Sequence, residues 1–235
     1  MLTRVFGAAC IAGLVAGLLL AALQQWQVVP LLRAAEVFEA HAEQARVPSD
    51  SFPAADSHAF GGWESAATLA VTNIVLGVGF ALILAGVAAL HGSEGWRAGA
   101  LWGLAGYVVF FVAPSLGQPP TLPGVPAASL GARTSWWLLA VACSAGGLWL
   151  IVFARPLSLR ALGVLLLFVP HVVGAPRPDV PSTFVPVELS GVFIRATYVT
   201  NAVFWVLLGA LVGVGQKVPL QHAEGRSDPT VRIEK

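Results

Sequence analysis

The side chains of this sequence best suited to hold a metal ion are His171, Glu36, Glu39, Glu43, His58, Glu64 and Glu188. Imidazole with carboxylate suits a borderline divalent cation such as Co²⁺, Ni²⁺ or Zn²⁺. Neutral imidazole supplies affinity, and carboxylates add charge attraction while binding weakly enough for release. Glu36, Glu39 and Glu43 stand at i, i+3 and i+7, which on a helix is one face. Such a run also reads as a solvated face, and Glu36, beside the apolar LLRAA turn, is the member expected to face the bundle. His41 points away from that face, His91 lies in a short HGSEG turn where a capping role is expected, and His222 falls in a polar tail. His171 is therefore the strongest single candidate. A second set consists of amides, hydroxyls and one cation. Gln24, Gln25, Thr72, Asn73, Arg195, Thr197 and Asn201 all fall within or at the ends of apolar segments. Polar groups are costly there and turn to the protein interior. Asn73 and Asn201 are expected either to join two helices by hydrogen bonding or to line a translocation path. Arg195 is placed to reach Glu188 or a lipid phosphate.

Several kinds of chemistry have no foothold. The sequence contains no GxxxxGK[ST], GxSxG, HExxH or GxGxxG pattern, so nucleotide hydrolysis through a P-loop, acyl transfer and zinc proteolysis lack their usual residues. No enzyme activity is expected, and no permanently bound cofactor. Cys10 and Cys143 lie inside apolar runs, where each reads as a small packing residue.

The elements that must position these side chains are apolar helices. The chain is 57% hydrophobic and 11% charged, with mean hydropathy +0.78. A soluble domain carries about 25% charged residues because its surface faces water. The net charge of +1 gives no field to attract nucleic acid. The expected fold is an all-α polytopic bundle in lipid, with residues 1–216 forming the bundle and 217–235 a polar cytoplasmic tail. A spanning helix needs about 20 apolar residues. That criterion places spans near 5–29, 66–90, 98–113, 136–153, 159–173 and 191–215, six in all. The fifth is short and contains Pro170, so five spans is the alternative. The uncharged stretch from Val5 to Leu23 exceeds a signal-peptide core and reads as a retained helix.

With six spans, Arg4, Arg97, Arg155, Arg160, Lys217, Arg226, Arg232 and Lys235 share one side, and Arg33, Arg46, Arg133 and Arg177 the other. That asymmetry places both termini in the cytoplasm. Trp26, Trp63, Trp136 and Trp137 near span ends are expected to anchor at the lipid–water interface. The loops opposite the termini are long and acidic or proline-rich. The first is expected to open with a short helix from Leu31 to Arg46, and QPPTLPG and GAPRPDVPSTFVP should be extended.

Five segments carry a family resemblance: PLLRAAEVFE (Pro30 to Glu39), QPPTLPG (Gln118 to Gly124), RTSWW (Arg133 to Trp137), VPHVVGAPRP (Val169 to Pro178) and VPVELSGVF (Val185 to Phe193). In this order the chain resembles the CbtA family of proposed cobalt transporter subunits over nearly its whole length. The resemblance implies a multi-pass protein of the bacterial inner membrane that moves Co²⁺ for vitamin B12 synthesis. It further implies a small histidine-bearing, single-span partner of the CbtB type. The matched polar positions are Glu36, Glu39, Arg133, His171 and Glu188. One departure is Thr121, where similar sequences carry an acid. A non-transporting scaffold for another transporter is the competing expectation, since no span holds an Asp or Glu.

Overall fold

The computed structural model describes residues 2–46, 62–178 and 185–217, and all of its regular structure is helical. Helices α1 (Leu2–Leu23) and α2 (Val29–Arg46) run on through a π-helical turn at Gln24–Val28. Helix α3 spans Trp63–Leu90. Helix α4 (Trp96–Tyr107) continues through a second π turn, Val108–Val112, into α5 (Ala113–Gly117). Helices α6 (Leu130–Phe153), α7 (Leu157–Val173) and α8 (Val187–Lys217) complete the fold. In hydrocarbon each segment must satisfy its own backbone polar groups, which is why long apolar stretches become unbroken helices.

Five helical runs are long and apolar enough to cross a bilayer: Thr3–His41, Trp63–Leu90, Trp96–Gly117, Leu130–Phe153 and Val187–Gln216. The fifth expected span, α7, is shorter than these at 17 residues, or about 26 Å of helix against about 30 Å of hydrocarbon. It nevertheless packs along α6. Gly163 meets Gly147 backbone to backbone, and farther along the Trp136 indole Nε1 donates to the Pro170 carbonyl at 3.2 Å. The first expected span and the helix expected after it are one continuous helical run, interrupted only by the π turn.

The core forms where backbones approach closely. On α4, Gly99 and Gly103 pack into Gly209 and Gly213 of α8, and a Cβ at any of the four would strike the facing backbone. The Gly95 amide donates to the Gly213 carbonyl at 2.8 Å, a direct hydrogen bond between the start of one helix and the end of another. Helices α1 and α3 repeat the arrangement with Gly13 and Gly17 against Asn73, Gly77 and Val78. In lipid the apolar surfaces of two helices gain nothing by leaving solvent, so close van der Waals contact has to supply the association. Between these pairs lies an aromatic cluster in which Phe80, Phe110 and Trp205 sit with ring centroids 4.6 to 5.6 Å apart. Ile11, Val75, Leu101, Leu165 and Phe168 are among the large apolar side chains left on the outside, as a lipid-facing surface requires.

Candidate functional site

The end of the bundle where α1 passes into α2, α3 begins and α7 gives way to α8 gathers the family-like segments into two neighbouring clusters. In the first, Ala35 of α2, Leu122 of the proline-rich loop, and Val185 and Phe193 around the start of α8 are buried together with Val28. Leu31, Leu32, Val125 and Leu189 pack against them. PLLRAAEVFE, QPPTLPG and VPVELSGVF are thus one packed unit. Gly124, at φ +75°, turns the loop so that its backbone lies against the Glu39 stem. A Cβ there would stand 3.4 Å from Glu39 Cβ. Glu36 is half-buried beside this cluster, while Glu39 and Glu188 are exposed at its edge.

In the second cluster RTSWW meets VPHVVGAPRP. Trp136 is buried, its indole proton held by Pro170, and Gly117 packs on its ring. The His171 ring stands edge-on to Trp136 with centroids 6.2 Å apart. Gln118 Nε2 donates to the Arg133 carbonyl at 3.5 Å, tying the proline-rich loop to the start of α6. His171 is exposed in the last turn of α7.

Among the described residues no three of His, Cys, Asp and Glu come together as a group able to hold a metal ion. His171, Glu36, Glu39 and Glu188 thus share one end of the bundle without forming a preassembled cage. His58 and the Glu43 side chain lie outside the described residues.

The intramembrane amides take partners other than each other. Asn73 is buried on α3 and donates through Nδ2 to Gln24 Oε1 at 2.7 Å. Asn201 donates to the Thr197 carbonyl of its own helix at 2.9 Å. Arg195 is exposed and lies along Gly191, one turn back on α8. The aromatic cluster of Phe80, Phe110 and Trp205 closes the middle of the bundle, and the buried polar side chains among the described residues are Asn73, Ser115, Ser144 and Thr200.

Beside the Gln24–Asn73 pair is a groove of about 430 Å³ between the first π turn and the start of α3. Glu64, Ser65, Thr68 and Thr72 line one wall, with Gln25 and Val29 opposite. Ser65 and Thr68 are missed by a search for metal-capable or isolated intramembrane polar residues. The signal available was the i, i+4, i+8 spacing of Glu64, Thr68 and Thr72, which aligns three oxygen-bearing side chains on one helix face. The paired glycines were equally legible as small-xxx-small spacing at 13/17, 95/99/103 and 209/213.

Comparison with known proteins finds one family model, described as "Probable cobalt transporter subunit (CbtA)", matching residues 2–216. No curated protein matches the chain, and no solved structure does.

Proposed function

The chain belongs to the CbtA family, and on that premise we propose that it is the membrane subunit of a cobalt uptake system serving vitamin B12 synthesis, working with a small histidine-bearing, single-span CbtB-type protein. Subunits of this family are transporter components rather than enzymes, and the chain is a multi-pass helical protein of the bacterial inner membrane. The observation that carries the reading is the extent of the match: residues 2–216 take in the described helices to within one residue of the end of α8.

In this reading both termini are cytoplasmic, and the end bearing His171 faces outward. Glu36, Glu39 and Glu188 raise the local cation concentration there, and His171 supplies the nitrogen that favours Co²⁺ over harder ions. His58 is a further ligand in the proposal. Asn73 and Asn201 belong to the path inward. The separation of these side chains in the present arrangement requires capture to draw them together, as a helix shift on metal binding would.

The scaffold reading has its own support in the aromatic cluster of Phe80, Phe110 and Trp205 and the lack of a buried carboxylate among the described residues. Radiolabelled cobalt accumulation separates the two. Cells stripped of their own importers would express the chain with its small partner, as wild type and as His171→Ala. The transport reading expects accumulation above background that falls in the variant to about a tenth or less, the usual cost of losing a group that supports a metal site. Membrane-inserted protein with no accumulation in either case would establish the scaffold reading instead.

A further inference from the structure

We propose that the groove between the first π turn and the start of α3 is a loading site for a partly hydrated divalent cation, with Glu64 supplying the charge and Thr68, Thr72 and Gln25 the neutral oxygens. This deepens the transport reading, on which it rests for the identity of the physiological ion.

The first support is the behaviour of the hydroxyls. Ser144, Thr197 and Thr200, also within spans, each donate to a carbonyl one turn back on their own helix, at 2.6, 2.8 and 3.0 Å. That is the inexpensive way to satisfy a hydroxyl in lipid. Among the described residues Ser65, Thr68 and Thr72 make no such bond; Ser65 is half-buried, Gln25, Glu64, Thr68 and Thr72 are exposed, and all five line the same groove. Depth is the second support. Thr72 follows Trp63 by nine residues, so the groove carries oxygen ligands about 13 Å along the helix from the span's first residue. Gln25, Glu64, Thr68 and Thr72 are exposed to this groove, so their oxygens are open to water or a ligand. The third is size. Six waters at about 30 Å³ each occupy about 180 Å³, so a cavity of about 430 Å³ admits a cation that keeps most of its shell. At its inner edge Thr72 adjoins Asn73, whose amide is already paired with Gln24. A π turn forms the opposite wall, an irregularity that recurs at functional sites because it displaces the helix backbone from its regular ladder.

The donor set determines what the groove can discriminate. One carboxylate with hydroxyl and amide oxygens is a hard set, which accepts Mg²⁺, Mn²⁺ or hydrated Co²⁺ with little preference. Loading here is therefore by charge and size, and preference for cobalt has to come from a nitrogen ligand elsewhere.

The test is Mn²⁺ binding to the purified full-length chain in nanodiscs, read as loss of the free-ion signal in electron paramagnetic resonance, with Co²⁺ and Mg²⁺ as competitors. Glu64→Gln should weaken binding at least about tenfold, no less than outer-shell losses do at metal sites. Thr72→Val, which keeps the side-chain shape, should weaken it about fivefold, the equivalent of one net hydrogen bond. Glu94→Gln removes an exposed carboxylate from the turn that follows the opposite end of α3 and should leave binding unchanged. All variants should elute as the parent does. Binding that is absent, or insensitive to both groove substitutions, overturns the proposal, as does equal weakening by Glu94→Gln. Groove-dependent binding without cobalt accumulation in cells would sink the transport reading and leave this one standing. Accumulation that ignores both groove substitutions would do the reverse.

Discussion

Helices α1, α3, α4 and α8 and the α6–α7 hairpin use the same device to hold together, but not to the same extent. In the first group glycines on four helices meet facing backbones, Gly95 and Gly213 hydrogen-bond directly, and Phe80, Phe110 and Trp205 fill the space between. In the hairpin a single pair, Gly147 and Gly163, makes the backbone contact, and one indole hydrogen bond to Pro170 secures the far end. Helix α7 packs chiefly on α6 and presents Leu165, Phe168 and Val172 outward. Association in lipid depends on such close contacts because burying apolar surface there gains nothing. The contrast leads us to expect that the four helices unfold as one frame and that the hairpin, joined to it through aromatic contacts of α6, is the less stable unit. His171 lies on the hairpin, whereas Glu36 lies on α2, which continues α1, and the groove lies between the first π turn and α3.

Three substitutions test that division. Gly99→Leu drives a side chain into the Gly209 and Gly213 backbone and should cost about 3 kcal/mol or more, at the upper end of overpacking effects. Steric-trap unfolding in bilayers would read it as loss of the folded frame. Gly147→Ala places a methyl 2.7 Å from the Gly163 carbonyl and should cost about 1–2 kcal/mol, confined to the hairpin. Faster trypsin cleavage at Arg155 and Arg160, with the frame unfolding as before, is the expected result. If Gly147→Ala instead lowers frame stability as Gly99→Leu does, the two regions are one cooperative unit and the division fails. The smallest effect belongs to Asn73→Ala, which removes the bond to Gln24 and should cost about 0.6 kcal/mol, the average for interhelical hydrogen bonds in a membrane protein. A loss of several kcal/mol would mean that polar contacts, not glycine packing, hold α1 to α3.

The spans were legible because hydropathy acts locally: a run of apolar residues is a spanning helix whatever its neighbours are. The five long spans and the shortness of α7 follow from that alone. The sequence also marks His171, Glu36, Glu39 and Glu188 as belonging to one end, because alternating crossings sort loops by parity. Which residues meet was not legible in the same way. Asn73 and Asn201 look equivalent as lone intramembrane amides, yet one pairs with Gln24 across helices and the other with its own backbone. A uniformly apolar helix carries little record of which face meets protein and which meets lipid. The groove escaped notice for a related reason, since Ser65 and Thr68 acquire a role only when the π turn stands opposite them.

By itself, then, the sequence determined the helical class and the five to six apolar candidate spans, because both depend on composition and order along the chain. Tertiary structure decided that α2 continues α1, that three distant segments pack around Leu122, that Trp136 links His171 to α6, and that Glu64, Thr68 and Thr72 face an open cavity. These depend on helix rotation and close approach, which are settled by the fit of glycines against neighbouring backbones rather than by hydropathy.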